Sequence, residues 1–147
     1  MGIDFSFTGA ARRHFDDAKL LEQQVRAANA GQLYGFCAEC GLKALLVAHG
    51  LPTESSGDIQ RKPKTGYREH MPSLGQIVSG LTAFPDGRQA TRYVAMLPGI
   101  AAFSDWSVDH RYYDESRLPL ASLPGWRAAA TEVMSMLDQA IVDGVMQ

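Results

Sequence analysis

An almost uninterrupted apolar stretch from Phe36 to Ala48 dominates the sequence and restricts the folds open to it. Its apolar residues would lie on nearly every side of a helix, whereas a surface helix has one apolar and one polar face. A helix with this pattern is usually central in its domain. We therefore predict a central helix over about 32–49, which Gly50 and Pro52 end.

Other segments have the three- and four-residue spacing of apolar residues that is typical of amphipathic helices. They predict helices at about 9–30, from Pro72 to about 81, at about 87–97, and from around 122–124 to about 143. No segment shows the alternation of a strand. The sequence thus predicts an all-α, five-helix up-and-down bundle in one domain, 1–147, with a long loop at about 51–68 between helices 2 and 3 and an irregular segment at about 104–121.

Charge and hydropathy limit the kinds of partner. Fourteen Lys and Arg residues against sixteen Asp and Glu residues give a net charge of −2, so any affinity for nucleic acid must come from a local patch. No apolar run approaches the roughly 18 residues that cross a bilayer. The N-terminus lacks the basic and apolar regions of a secretory signal. We expect a cytoplasmic protein that does not bind membranes.

The sequence predicts no metal and no cofactor. Cys37 and Cys40 stand three apart, but zinc would need a second ligand pair at similar spacing, so both are interpreted as core-facing thiols. An oxygen-rich cation site from Asp105, Asp109 and Asp114 lacks the spacing of a recognised metal motif. The histidines are scattered, and His14 and His49 are interpreted as helix-surface or interface residues.

Helices one to three carry a recognisable pattern. It consists of Phe15-Asp16-Asp17-Ala18 in the first helix, Tyr34-x-Phe36-x-Ala38-Glu39-Cys40-x-Leu42-Lys43-Ala44-Leu45-Leu46 in the second, and Tyr67-Arg68-Glu69-His70 leading to Leu74 in the third. Over about residues 10–82 this pattern resembles the HEPN superfamily of helical bundles, which are linked with nucleotidyltransferases, toxin–antitoxin pairs and RNA cleavage.

The resemblance implies a helical bundle that forms a homodimer, with a nucleotidyltransferase or an antitoxin as a partner. The ribonuclease branch of the family relies on an Arg followed four to six residues later by a His, and this sequence has no such spacing. His110-Arg111-Tyr112 supplies the same residue types in another order. The resemblance therefore implies the fold and dimerisation more strongly than catalysis.

The densest polar segment is 104–117. In one interpretation it is a nucleotide or phosphate site: Arg111 pairs with phosphate, Trp106 or Tyr112 stacks on a base, and His110 moves a proton. In the other, it is a long connection whose charges, such as Asp109 and Arg111, pair internally while its aromatic rings pack over the bundle.

Glu39 and Lys43 are the charged residues of the apolar stretch, spaced i,i+4. They either form an intrahelical ion pair or face a polar groove, with Lys43 near a ligand or near Arg111 and Asp109. The basic run 61–68 includes Arg68 and either contacts an RNA backbone or is simply solvated.

We expect a non-catalytic binding or regulatory module in a nucleic-acid-linked or toxin–antitoxin system. Its candidate binding residues are Glu39, Lys43, Arg68, Trp106, Asp109 and Tyr112. The alternative is a metal-independent ribonuclease that uses His110 with Arg111, or His70.

Overall fold

The computed structural model describes residues 3–61 and 65–146. Within them the α-helices are α1 (Phe7–Gln23), α2 (Ala27–Ala48), α3 (Ser73–Ser79), α4 (Thr91–Val94) and α5 (Leu123–Val142), and short 3₁₀ segments lie at Ile100–Asp105, Val108–Tyr112, Glu115–Arg117 and Leu120–Ser122. These residues contain no strand, only two isolated β-bridges. The all-α class is confirmed. No helix in the described ranges has both the length and the apolar character needed to cross a membrane.

The α2 helix lies at the centre of the domain, as its apolar stretch predicts. Between Ala30 and Leu46 every residue is buried except Leu33, Phe36 and Cys40. It packs against α1 along one side and α5 along another, and it also contacts α3 and the 3₁₀ segments that precede α5. Burial on nearly every side is the reason this helix has no continuous polar face.

The three long helices do not alternate in direction. The Phe15 and Tyr34 rings lie 6.1 Å apart and Lys43 lies over Phe7, so α1 and α2 are antiparallel. Trp126 lies against Gly31, however, and Val133 against Gly41, so α5 runs in the same direction as α2. The long connection 49–122 returns the chain to the N-terminal end of α2, and the predicted up-and-down order does not hold for these helices.

Glycines on α2 allow this close packing. A Cβ atom added to Gly35 would lie 1.9 Å from the Trp106 indole, and one on Gly41 would lie 2.2 Å from Val133. The Trp106 Nε1 donates a hydrogen bond to the Gly31 carbonyl at 3.0 Å. Because these glycines have no side chain, the indole and α5 pack directly against the α2 backbone.

The ends of several elements differ from the predictions. The turn predicted at 29–31 lies at 24–26, where Val25 has a φ of 60°, because Gly31 provides close packing against Trp126 rather than a turn. The helix predicted at 87–97 is only one turn, Thr91–Val94, because a hairpin-like loop occupies 83–89. Segment 104–121 is largely 3₁₀ turns.

His49 is not a surface residue. It is buried, its Nδ1 lies 2.8 Å from the Leu45 carbonyl, and its ring stacks on Phe84 with centroids 3.9 Å apart. The C-terminal end of α2 is thus covered by the chain that follows α3. The prediction that His49 is a helix-surface or interface residue was wrong, because the sequence does not show which loop folds back over a helix end.

The loops after α2 and α3 have the same turn geometry. In the first, the Glu54 amide donates to the Asp58 carbonyl and Gly57 has a φ of 95°; in the second, Phe84 donates to Arg88 and Gly87 has a φ of 85°. Glycine suits both positions because other residues rarely adopt a positive φ. The first loop continues into the segment that faces α1 and α2 and forms one wall of a cleft.

Candidate functional site

A cleft of about 1140 Å³ lies between the first half of α1, the middle of α2 and the loop residues 58–61 and 65–70. The exposed N-terminal residues Asp4 to Ser6 form its rim, and the small residues Gly9 and Ala10 of α1 leave room for it. This volume is slightly above the usual range for small-molecule sites. Its charged and ionisable lining on the helices and the loop comprises Arg13, His14, Glu39, Lys43, Arg61, Arg68 and His70, together with acidic residues at 4, 58 and 69.

Four of the predicted site residues line this cleft, and one of them, Glu39, contacts two of the others, Lys43 and His70. The two Glu39 carboxylate oxygens have different partners: Oε2 accepts a hydrogen bond from Lys43 Nζ at 3.1 Å, and Oε1 lies 2.9 Å from His70 Nδ1. The Glu39 and Lys43 side chains are only 10% and 8% exposed, whereas the His70 side chain is 58% exposed. The ion pair predicted within α2 is therefore present, and it also holds a histidine from a distant loop.

The contact with Glu39 orients the His70 ring. A carboxylate oxygen accepts hydrogen bonds, so the proton of the neutral ring lies on Nδ1 and leaves Nε2 free to accept a proton or a ligand hydrogen bond. An imidazole held by a buried carboxylate, with its other nitrogen exposed, is the usual arrangement of a general acid or base.

Arg68 braces the loop. Its guanidinium lies 2.6 Å from Asp58 and 3.1 Å from Glu54, so its charge is already compensated on the protein. Arg68, a predicted binding residue, therefore forms ion pairs that stabilise the loop. The neighbouring Tyr67 is half-buried against the core. Of the basic run, residues 62–64 lie outside the described residues.

Two other arginines of the cleft make no ion pair within the described residues. Arg13 lies on α1 and Arg61 on the facing loop, and both side chains are exposed. The Asp4 carboxylate at the rim is also unpaired among these residues. The two guanidiniums are therefore available to hydrogen-bond an anion.

Burial shifts the ionisation of two further cleft residues. It lowers the pKa of His14, with the nearby Arg13 charge adding to the effect, so this imidazole is neutral at pH 7. Burial, with a smaller contribution from Glu39, raises the pKa of the Cys40 thiol to about 11. Cys40 is half-buried and lines the cleft, whereas Cys37 is in the core, where burial raises its thiol pKa. Both thiols are therefore protonated at neutral pH and poor nucleophiles.

The polar segment 104–117 contributes nothing to this cleft. Trp106 is 2% exposed and hydrogen-bonded to Gly31, so its ring cannot stack on a base. His110 packs between Trp126 and Tyr113, with centroids at 6.2 and 5.0 Å. The Trp106 and His110 rings thus pack over the bundle, as one of the two interpretations predicts, but Tyr112 and Tyr113 are exposed.

The remaining polar residues of 104–117 are exposed and do not meet Lys43. Arg111 lies 4.7 Å over the Tyr112 ring, and Asp109 forms no ion pair with a described residue. The alternative in which Lys43 lies near Arg111 and Asp109 was therefore wrong, because Lys43 faces the cleft with α1 and the loop residues 58–61 and 65–70. In the described parts of the chain no group of three His, Cys, Asp or Glu is arranged to hold a metal ion.

Sequence reasoning missed the contribution of α1. Arg13 and Phe36 line the cleft, and neither was singled out as a binding residue; His14 was placed on a helix surface or interface. The sequence contained part of the evidence, because Arg13 and His14 follow Ala10 by three and four residues and so lie on the same helix face as Ala10. Which neighbouring element that face meets could not be derived from spacing.

Comparison of this chain with family models, with curated proteins and with solved structures gave no match. Functional inference therefore rests on the chemistry of the cleft.

Proposed function

We propose that this chain is a binding module that holds a phosphate-bearing ligand in the cleft. The observation that carries this proposal is the pair Arg13 and Arg61, which approach one concave site from different walls without an ion-pair partner among the described residues. A guanidinium presents a planar fork of donors that matches phosphate geometry. Lys43 adds a cation deeper in the same site, already paired with Glu39.

The shared concave site distinguishes these exposed arginines from arginines scattered over the surface. A cleft with low-dielectric walls focuses the field of its charges and raises the local concentration of anions. Phosphate oxygens would replace the water that solvates both guanidiniums. The chain's net charge of −2 does not oppose this, because binding depends on the groups that contact the phosphate and not on the charge of the whole chain.

Arg13→Ala should weaken binding about 10-fold or more, since hydrogen bonds to charged groups contribute roughly 1.5–3 kcal/mol. The measurement is fluorescence anisotropy with a 5′-labelled single-stranded oligoribonucleotide at low salt. Arg12→Ala is the matched control, because Arg12 is the preceding residue on α1 but pairs with Asp138 at 2.7 Å. Equal affinities of the two variants would contradict the proposal.

The HEPN-like pattern of the sequence supports a proposal about the oligomeric state and the partners of the protein. We propose a homodimer that works with a nucleotidyltransferase or an antitoxin in a nucleic-acid-linked or toxin–antitoxin system, in the cytoplasm. The support is the residue pattern over about 10–82 and the all-α fold. Light scattering after size exclusion tests the dimer, and co-purification from the native host tests the partner.

Metal-independent cleavage of RNA is the second candidate, and the contact between Glu39 and His70 favours it. In this reaction His70 Nε2 takes the proton of a ribose 2′-hydroxyl, the 2′-oxygen attacks the adjacent phosphorus, and the 5′-oxygen leaves with a proton from solvent. The products are a 2′,3′-cyclic phosphate and a 5′-hydroxyl. The geometry favours His70 over the His110 and Arg111 alternative, because His70 is in the cleft and His110 is not.

If this second candidate is right, His70→Ala should lower the cleavage rate about 10²- to 10⁴-fold, the usual contribution of a general base. The fold should survive because the side chain is 58% exposed. His110→Ala should leave the rate unchanged. Gel analysis of a single-stranded RNA and its 2′-deoxy analogue gives the measurement, and wild-type protein that leaves the RNA intact eliminates the candidate.

A further inference from the structure

One end of the cleft is aromatic. Phe36 on α2 and His14 on α1 line it, with ring centroids 5.8 Å apart. Phe36 precedes Lys43 by seven residues, which is about 10 Å along a helix, so this pair of rings is separate from Phe7, which lies under Lys43 and also lines the cleft. Phe36 is also one of the few residues between Ala30 and Leu46 that keep part of their surface exposed.

The aromatic wall is held in place from behind. The Phe36 ring meets the buried Trp106 edge to face, with centroids 5.6 Å apart, and Trp106 is itself fixed by its hydrogen bond to Gly31. A ligand that contacts Phe36 therefore does not have to order this ring first, which lowers the entropic cost of binding.

His14 presents an aromatic face beside a cation. Burial and the Arg13 charge lower its pKa, whereas Asp17 and Glu39 act in the opposite direction with smaller effect. A neutral imidazole can be desolvated by a stacked ring at much lower cost than an imidazolium. Arg13 directly precedes His14 on the same helix, so an apolar ring and a guanidinium with no ion pair among the described residues both line this wall.

We propose that Phe36 and His14 form a nucleobase subsite, so that the ligand of the cleft is a nucleotide with its base on this wall and its phosphate at Arg13 and Arg61. This inference rests on the proposed phosphate-binding function and names the ligand class. The two rings lie too close to each other for a base to enter between them, so the base stacks on their exposed faces. Stacking on aromatic side chains tolerates any base.

The test compares two ligands that share a phosphate and differ in the base. Isothermal titration calorimetry with the full chain measures the affinities for adenosine 5′-monophosphate and for ribose 5-phosphate. Wild-type protein should bind the nucleotide about 5- to 150-fold more tightly, the range expected for one stacked base. Phe36→Leu, which keeps an apolar side chain against Trp106, should lower this affinity ratio about 5-fold or more.

Three further variants make the result decisive. His14→Ala should also lower the ratio and serves if Phe36→Leu does not fold. Arg13→Ala should weaken both ligands together, and Tyr113→Leu, an exposed aromatic residue outside the cleft, should change neither affinity.

The outcomes separate the two proposals. A wild-type ratio near one, or a ratio that both Phe36→Leu and His14→Ala leave unchanged, overturns the nucleobase subsite while phosphate binding stands. Absence of binding for both ligands overturns the proposed phosphate-binding function as well. Tight nucleotide binding that Arg13→Ala does not weaken places the ligand elsewhere and also overturns both.

Discussion

Glu39→Leu should destabilise the protein by about 3–5 kcal/mol, the usual cost of removing one partner of a buried ion pair. The Lys43 ammonium would then stay in a site where its side chain is 8% exposed, with no carboxylate to compensate it. His70 would lose its Nδ1 partner in the same variant. Urea denaturation followed by circular dichroism measures the free energy of unfolding.

Two further variants test that explanation. Asp138→Leu is the matched control, because Asp138 also pairs with a cation on a neighbouring helix but its side chain is 62% exposed. It should cost less than about 1 kcal/mol, as exposed pairs do. The double variant Glu39→Leu with Lys43→Met should recover most of the lost stability, since well-packed apolar residues can replace a buried pair at little cost. A double variant as unstable as Glu39→Leu would refute the account.

Gly35→Ala should cost about 3 kcal/mol even though alanine is the better helix former. The new Cβ atom would lie 1.9 Å from the Trp106 indole. Overpacking of a core typically costs roughly 1–3 kcal/mol, and here the indole cannot move without breaking its hydrogen bond to Gly31. Thermal unfolding should show the melting temperature falling by about 6–12 °C.

Gly125→Ala is the control for backbone effects. Gly125 also lies in a long helix, but a Cβ atom there would lie 3.5 Å from Ala102, an ordinary van der Waals contact. This substitution should be neutral or stabilise the protein by up to about 1 kcal/mol, because alanine loses less backbone entropy than glycine in a helix. If both variants melt at the same temperature, Trp106 does not require the missing side chain at position 35.

Much of the candidate site was predictable residue by residue but not as an assembly. Glu39 and Lys43 stand out in any reading of the apolar stretch, and His70 precedes a predicted helix. Their meeting in one cleft was not predictable, since His70 lies on the long loop after α2, 31 residues from Glu39 in the sequence. Trp106 shows the opposite error: a tryptophan in a polar segment indicated a binding residue, yet it fills a space that Gly35 leaves open.

The sequence alone determined the helical class, the burial of α2 and its internal ion pair, because apolar periodicity and i,i+4 spacing act within one turn or two of the chain. Only the tertiary structure decided that α5 runs parallel to α2 and that Arg13, Glu39, Arg61 and His70 share a cleft. The physical reason is that these contacts join distant residues. These contacts depend on the path of the connecting loops and on the fit of side chains against glycines. Neither of the two leaves a periodic pattern along the chain.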